Sequence, residues 1–113
     1  MDKIKKYQTI ITKLLQEMQS NEETNDAEQE AIITDTKRHH YFLQWIGFDA
    51  EDRFINKPLL HFHIKPNGKI WLLANLTETD VAEELMLKGV DKKDIVLGFL
   101  VPFIRAHSGF AVA

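Results

Sequence analysis

The sequence predicts an α+β fold: an N-terminal helix, an antiparallel β-sheet of four to five strands, and one or two further helices packed on one face. Three observations carry this. Apolar residues recur at helical spacing near the start, aromatic and β-branched residues concentrate between positions 31 and 75, and Gly, Pro, Asn and Asp punctuate those runs. With 113 residues, 44% hydrophobic and 27% charged, the chain is expected to form one domain, 1–113, able to bury a core without metal or crosslinks.

The first helix is read over residues 2–18, because Ile4, Tyr7, Ile10, Ile11, Leu14, Leu15 and Met18 fall on one face. Residues 19–28, rich in Asn, Glu and Asp, carry no periodicity and are expected to be a solvated connector. A strand over 31–36 and a second over 40–48 follow, joined by a short polar link that favours antiparallel neighbours. Asp49-Ala50-Glu51-Asp52 turns the chain into a third strand, 53–65, in which Pro58 implies an edge, a bulge or a break.

The turn at Pro66-Asn67-Gly68 allows two registers. A two-residue Asn-Gly loop would oppose Ile64 to Trp71, whereas a three-residue loop with left-handed Gly68 opposes Ile64 to Ile70, Phe62 to Leu72 and Leu60 to Ala74. Only the second makes one face uniformly apolar. It places His61, His63, Trp71, Leu73 and Asn75 together on the opposite face.

Thr77 or Thr79 is expected to cap a helix running to about Lys88, with Val81, Ala82, Leu85 and Met86 inside and Gly89 as its stop. Residues 91–94 read as a short helical turn and 95–99 as a strand. Pro102 predicts an extended or turning segment. The apolar tail Phe110-Ala111-Val112-Ala113 is expected to pack on this domain or on a second subunit.

Composition excludes several chemistries. No cysteine means no disulfide scaffold, no thiol nucleophile and no Cys-ligated zinc. The apolar runs near 95–104 are broken by Gly98 and Pro102 and are too short to span a membrane, and the first residues do not lead into a signal sequence. A cytoplasmic protein is expected. The net charge of −3 and the scattered basic residues do not favour direct DNA binding: Lys3, Lys5, Lys6 and Lys13 are followed by Glu22, Glu23, Asp26, Glu28 and Glu30. Phosphate loops, dinucleotide turns and nucleophile elbows are absent from the sequence.

The histidines are the candidates for chemistry. His61 and His63 point to one side of a strand, about 7 Å apart from the strand rise. A metal would need a third ligand, such as His39, His40, Asp35 or His107. The simpler reading is a half-exposed sheet face with His63 stacked beside Trp71. Aromatic groups on both sheet faces, Tyr41, Phe42, Trp45, Phe48, Phe54 and Trp71, exceed what helices on one face can cover. An interface is one outcome; cover by loops and the C-terminal tail is the other.

Several short blocks recur at a recognisable spacing: His40-Tyr41, Asn67-Gly68-Lys69-Ile70-Trp71, Thr77-Glu78, the run from Gly89-Val90 through Asp94-Ile95-Val96-Leu97, then Pro102, Arg105 and Gly109-Phe110-Ala111-Val112-Ala113. In this order they resemble the XisI family, the controlling factors for excision of the fdxN DNA element in nitrogen-fixing cyanobacteria. The resemblance covers essentially the whole chain and departs from the family pattern at His63 and at Asn75-Leu76. It implies an XisI-like fold and a regulatory, non-enzymatic role during heterocyst differentiation. The implied partner is an XisH-like protein of endonuclease fold, with a site-specific recombinase complex beyond it and a homo-oligomer expected. The alternative is a small-ligand or metal-binding α+β domain of unrelated role. The candidate interface or ligand face comprises His40, Tyr41, Trp45, His61, His63, Trp71, Arg105 and Phe110; no catalytic, cofactor or metal residue is assigned.

Overall fold

The computed structural model describes residues 2–19 and 29–113. The expected connector therefore lies, apart from Gln19, outside the described residues. Helix α1, Lys3–Met18, begins where the Asp2 carboxylate accepts the Ile4 N–H at 3.0 Å, a side-chain cap for a donor the helix cannot satisfy itself. Its buried residues, Tyr7, Ile11, Leu14 and Leu15, form the stripe expected from their spacing.

Strands β1 (Gln29–Asp35), β2 (His40–Phe48), β3 (Phe54–Ile64) and β4 (Ile70–Asn75) form an antiparallel meander, and β5 (Ile95–Leu97) completes the sheet in the order β1-β2-β3-β4-β5. The Pro66 turn takes the three-residue form. Lys65 accepts the Gly68 N–H at 2.8 Å and donates to the Lys69 carbonyl at 3.0 Å, while Gly68 sits at φ +84°. That left-handed residue is why glycine is required there. Ile64 then opposes Ile70 and Phe62 opposes Leu72 as expected.

Two bulges alter the rest of the register. Gln44 opposes Pro58 although Leu43 opposes Leu60, so Leu59 is the extra residue, and the break expected at Pro58 takes the form of a bulge. In β4 Leu73 is the extra residue, so Leu60 opposes Asn75 rather than Ala74, and His61 opposes Ala74. Asn75 thereby leaves the histidine face on which a bulge-free ladder would have put it.

Four strands are antiparallel as expected, and the fifth makes the sheet mixed, because β5 runs parallel to β4. Parallel neighbours need a long crossover, and residues 76–94 supply it. This crossover contains helix α2, Val81–Leu87, and the 3₁₀ turn Lys92–Asp94. Asp80, not Thr77 or Thr79, caps α2 by accepting the Glu83 N–H at 3.1 Å. Thr77 is engaged instead with the Asn75 side chain, to which its hydroxyl donates at 2.6 Å. At Pro102, where an extended or turning segment was expected, the chain turns through the four-residue helix α3, Pro102–Arg105, since proline suits the first turn of a helix, where no N–H is needed.

The core lies between one sheet face and the pair α1 and α2. Tyr41, Leu43, Leu60, Phe62, Ile64, Ile70, Leu72 and Ile95 meet Tyr7, Ile11, Leu14, Leu15, Val81 and Leu85 there. Among the described residues no helix is long and apolar enough to cross a membrane.

Candidate functional site

The face of the sheet turned away from α1 and α2 holds the polar aromatic cluster. His40 opposes His63, and Phe42 opposes His61 across the β2–β3 ladder. Alternation along each strand brings these four rings to one side. His40 Nδ1 and His61 Nε2 share a hydrogen bond at 2.9 Å, the His40 and His63 rings stack at 4.0 Å, and Phe42 stacks on His61 at 4.0 Å. One proton lies between the two bonded imidazoles, which requires one to donate and the other to accept. Burial, with the neighbouring His40 and His63 charges, pushes the His61 pKa down to about 4. His63 is lowered for the same leading reason, with His40 and Lys65 adding repulsion.

His63 thus stacks on His40 instead of on Trp71, although Trp71 is its register partner. Among the described residues no group of three or more His, Cys, Asp or Glu side chains is placed to hold a metal ion. Of the third ligands considered, His40 joins His61 and His63 and is taken up in the hydrogen bond to His61, and the other three are engaged elsewhere. Asp35 accepts the Lys37 and Arg38 N–H groups at 3.0 Å, His39 bonds the Tyr41 hydroxyl at 2.8 Å, and His107 packs edge-on against Phe103. Tyr41 itself does not belong to this face: it is fully buried in the core, because odd positions at the start of β2 point inward. Trp45 shares that inward parity and is half-buried.

Trp71 is covered by the C-terminal segment. The Arg105 guanidinium lies 5.0 Å from its ring centroid and the Lys65 ammonium 3.7 Å away, both favourable over an aromatic face. Arg105 also donates to the Leu100 and Val112 carbonyls, at 2.9 Å each, and so pins α3 and the tail together. Ala111 bridges Val96 and donates to the Ile95 carbonyl at 2.9 Å, and Phe110 packs against the core. The tail therefore packs on this domain, as one of its two expected outcomes. The Trp71 indole N–H is buried and finds no acceptor among the described residues.

This cover leaves its own apolar side chains outward. Phe99, Val101, Phe103 and Ile104 are 51%, 62%, 74% and 45% exposed, and α3 buries none of its residues. These four were not singled out in the sequence as surface residues, because Phe99 reads as the end of the strand 95–99 and the extended or turning segment expected at Pro102 carries no sign of which side chains face outward. The chain does turn at Pro102, and it is the short helix formed there that leaves these side chains outward. Phe48 and Phe54 form a second exposed pair, edge to face at 5.5 Å, at the far end of the β2–β3 hairpin.

A buried polar node escaped the sequence reading altogether. Asp94, 4% exposed, accepts the Tyr7 hydroxyl at 2.6 Å and the Lys3 ammonium at 3.0 Å, joining residues far apart in the chain. Burial alone would raise the Asp94 carboxyl, but the bonds from Tyr7 and Lys3 and the lysine charges outweigh it and hold it low. Burial and the same carboxylate push the Tyr7 hydroxyl up to about 12. The node lines a groove of about 640 Å³ with Lys6, Gly89 and Lys93. Its role in the fold is to lock α1 onto the entry to β5.

Comparison with known proteins agrees with this architecture. The model of the XisI protein family matches residues 1–112. No curated protein matches the sequence significantly. Among solved structures, an XisI-like protein from Anabaena variabilis superposes with a TM-score of 0.88 at 38% identity, covering 97% of this chain and 99% of that one. A second Anabaena variabilis structure, the fdxN element excision controlling factor XisI, gives 0.84 at 27% identity, covering 99% of this chain and 100% of that one. The family match runs over residues 1–112 and so includes the Asn67–Trp71 turn and the Gly89–Leu97 block, and the superposition covers 97% of the chain, so the chain belongs to the XisI family.

Proposed function

We propose that this chain is a controlling factor for excision of an fdxN-type DNA element, acting as a protein-binding regulator and not as a catalyst. Its partner in this reading is an XisH-like protein of endonuclease fold. Support comes from the family and from the role named for its solved relative. The observation that carries the binding role is the exposed apolar group Phe99, Val101, Phe103 and Ile104, held on a short helix with no buried residue of its own. Apolar groups clustered on a surface in this way are the usual mark of an interface.

Arg105 supports the same reading, since it holds α3 over Trp71 and gives the apolar group a fixed shape to present. A preorganised patch loses less side-chain freedom on binding. The histidine face borders this cover through Trp71, the register partner of His63. The net charge of −3 disfavours an autonomous grip on duplex DNA. DNA is then reached through the partner.

Co-expression with the XisH-like protein of the same genome, followed by size-exclusion chromatography with light scattering, tests the proposal. A single species with the summed mass of both proteins is expected. Separate elution of the two would refute it.

A further inference from the structure

Charge is distributed unevenly over the molecule. Residues 2–6, 35–40, 64–70 and 91–95 hold nine of the 14 Lys and Arg residues but only four of the 17 Asp and Glu residues. These segments meet at one end of the sheet: Lys3 bonds Asp94, the Ile64 N–H donates to the His39 carbonyl at 3.0 Å, and Ile70 opposes Ile95. The four carboxylates are engaged locally. Asp2, Asp35 and Asp91 accept backbone N–H groups of their own turns, and Asp94 holds Tyr7 and Lys3. Gln19 and Gln29, the described residues on either side of 20–28, lie at the other end, since Gln19 bonds the Glu30 carbonyl and Gln29 opposes Ile46. The length of β1 separates that end from Asp35 by about 20 Å.

At the basic end a groove of about 580 Å³ opens between the β1–β2 turn, the end of β3 and the first turn of α1. Lys37, Arg38, His39 and His63 line it with the apolar Ile4, Ile64 and Pro66, and among the described residues no carboxylate does. Its size is that of a small-molecule site. Asp35 fixes the turn by accepting the Lys37 and Arg38 N–H groups, and its ion pair with the Arg38 guanidinium is loose, at 3.7 Å with that side chain 79% exposed. The Lys37 ammonium has no acidic partner among the described residues. Burial raises the pKa of the Tyr41 hydroxyl and keeps it protonated, so it donates to His39 Nδ1 and leaves the proton of the neutral ring on Nε2, as a donor. His63 registers the same surroundings: burial lowers it first, and the charges acting on it, from His40, Lys65 and His39, are all positive.

We propose that this groove binds a small organic phosphate, its phosphoryl group held by Lys37, Arg38 and His39 and its carbon body laid on Ile4, Ile64 and Pro66. Guanidinium and ammonium groups match a phosphoryl dianion in charge, and the Arg38 fork can bond two of its oxygens at once. The apolar wall favours a ligand with surface to bury, which bare phosphate lacks. A nucleic-acid backbone fits less well, because a long polyanion would run past the groove toward the acidic remainder of a chain whose net charge is −3. The inference does not rest on the XisH-like partner, since no groove residue belongs to the exposed group on α3.

Titration of the isotope-labelled chain with phenyl phosphate, followed by amide chemical shifts, tests it. Saturable shifts are expected at Lys37, Arg38, His39 and Ile64, with a Kd in the millimolar range usual for so small a ligand. A double variant, Lys37→Gln with Arg38→Gln, changes two exposed side chains and is expected to keep the wild-type circular dichroism spectrum and to bind at least about tenfold more weakly. Inorganic phosphate and benzoate are expected to bind more weakly than phenyl phosphate, one lacking the carbon body and the other the second charge. Absence of saturable shifts, or an affinity unchanged in the double variant, would overturn the proposal. So would inorganic phosphate or benzoate binding as tightly as phenyl phosphate. A short DNA duplex that shifted the same amides at lower concentration would also overturn it, by assigning the phosphate to a nucleic-acid backbone.

Discussion

Asp94 carries a charge that the surrounding protein has to satisfy, because only 4% of its surface meets solvent. Tyr7 and Lys3 do so, one from each of two successive turns of α1. Removing a partner from a buried carboxylate leaves an unpaired acceptor, a larger effect than the net value of the bond itself. Tyr7→Phe is therefore expected to lower stability by about 1–3 kcal/mol, read as a lower urea midpoint with little change in slope. Histidine chemistry sets a pH dependence of opposite origin. His61 is held neutral in the fold, its pKa near 4 against an ordinary 6.5, so the unfolded chain binds the extra proton between those values. Stability is present above pH 6.5 and is lost as pH falls toward 4. Below that window protonation of Asp94, whose carboxyl is held low, removes more. Thermal unfolding across pH 7 to 4 is expected to show this decline, with His61→Phe flattening it.

Gly98 is the hinge on which the C-terminal cover closes. A Cβ there would stand 2.8 Å from Leu73 Cδ2, 2.9 Å from Trp71 Cε3 and 3.3 Å from the Leu72 carbonyl. Neither the ring nor the backbone beneath can give way cheaply. Gly98→Ala is expected to cost about 1–3 kcal/mol and to loosen residues 98–113, detected as faster proteolysis of that segment and altered Trp71 fluorescence. At this scale the sequence was informative where structure is local. Strand β2 has the expected bounds and α1 differs by one residue, because hairpin chemistry and helical spacing are written in neighbouring residues. The left-handed Gly68 and the Ile64–Ile70 register were legible for the same reason. The parallel direction of β5 was not, since it depends on how residues 76–94 cross the core. Nor was the bulge at Leu73 that moved Asn75, because every alternation argument assumes an unbroken ladder. Tyr41 shows the limit from another side: its aromatic character said that it would be on a face, and only pairing with Phe62 showed that this face is the core.

The whole molecule divides into a buried face that holds the fold and an outer face only partly closed. Helices α1 and α2 seal one side of the sheet, while Arg105 and the tail cover the other over Trp71 and leave the histidine rings beside that cover. The Tyr7–Asp94–Lys3 node explains one residue of the Gly89–Leu97 block by which the family is recognised, and Gly68 explains another in the turn before Trp71. Those residues maintain the shape; the exposed group on α3 is the surface that the proposed partner would contact. Family membership and the surface at Phe99 to Ile104 together make partner binding the central claim. It is tested most directly by calorimetric titration of the XisH-like protein into the wild-type chain and into Phe103→Asp, a change at a position 74% exposed. The account predicts saturable binding by the wild type and at least about tenfold weaker binding by the variant with its fold intact, a loss of about 1.4 kcal/mol. No heat of binding from the wild type, or equal affinity in both, would contradict it.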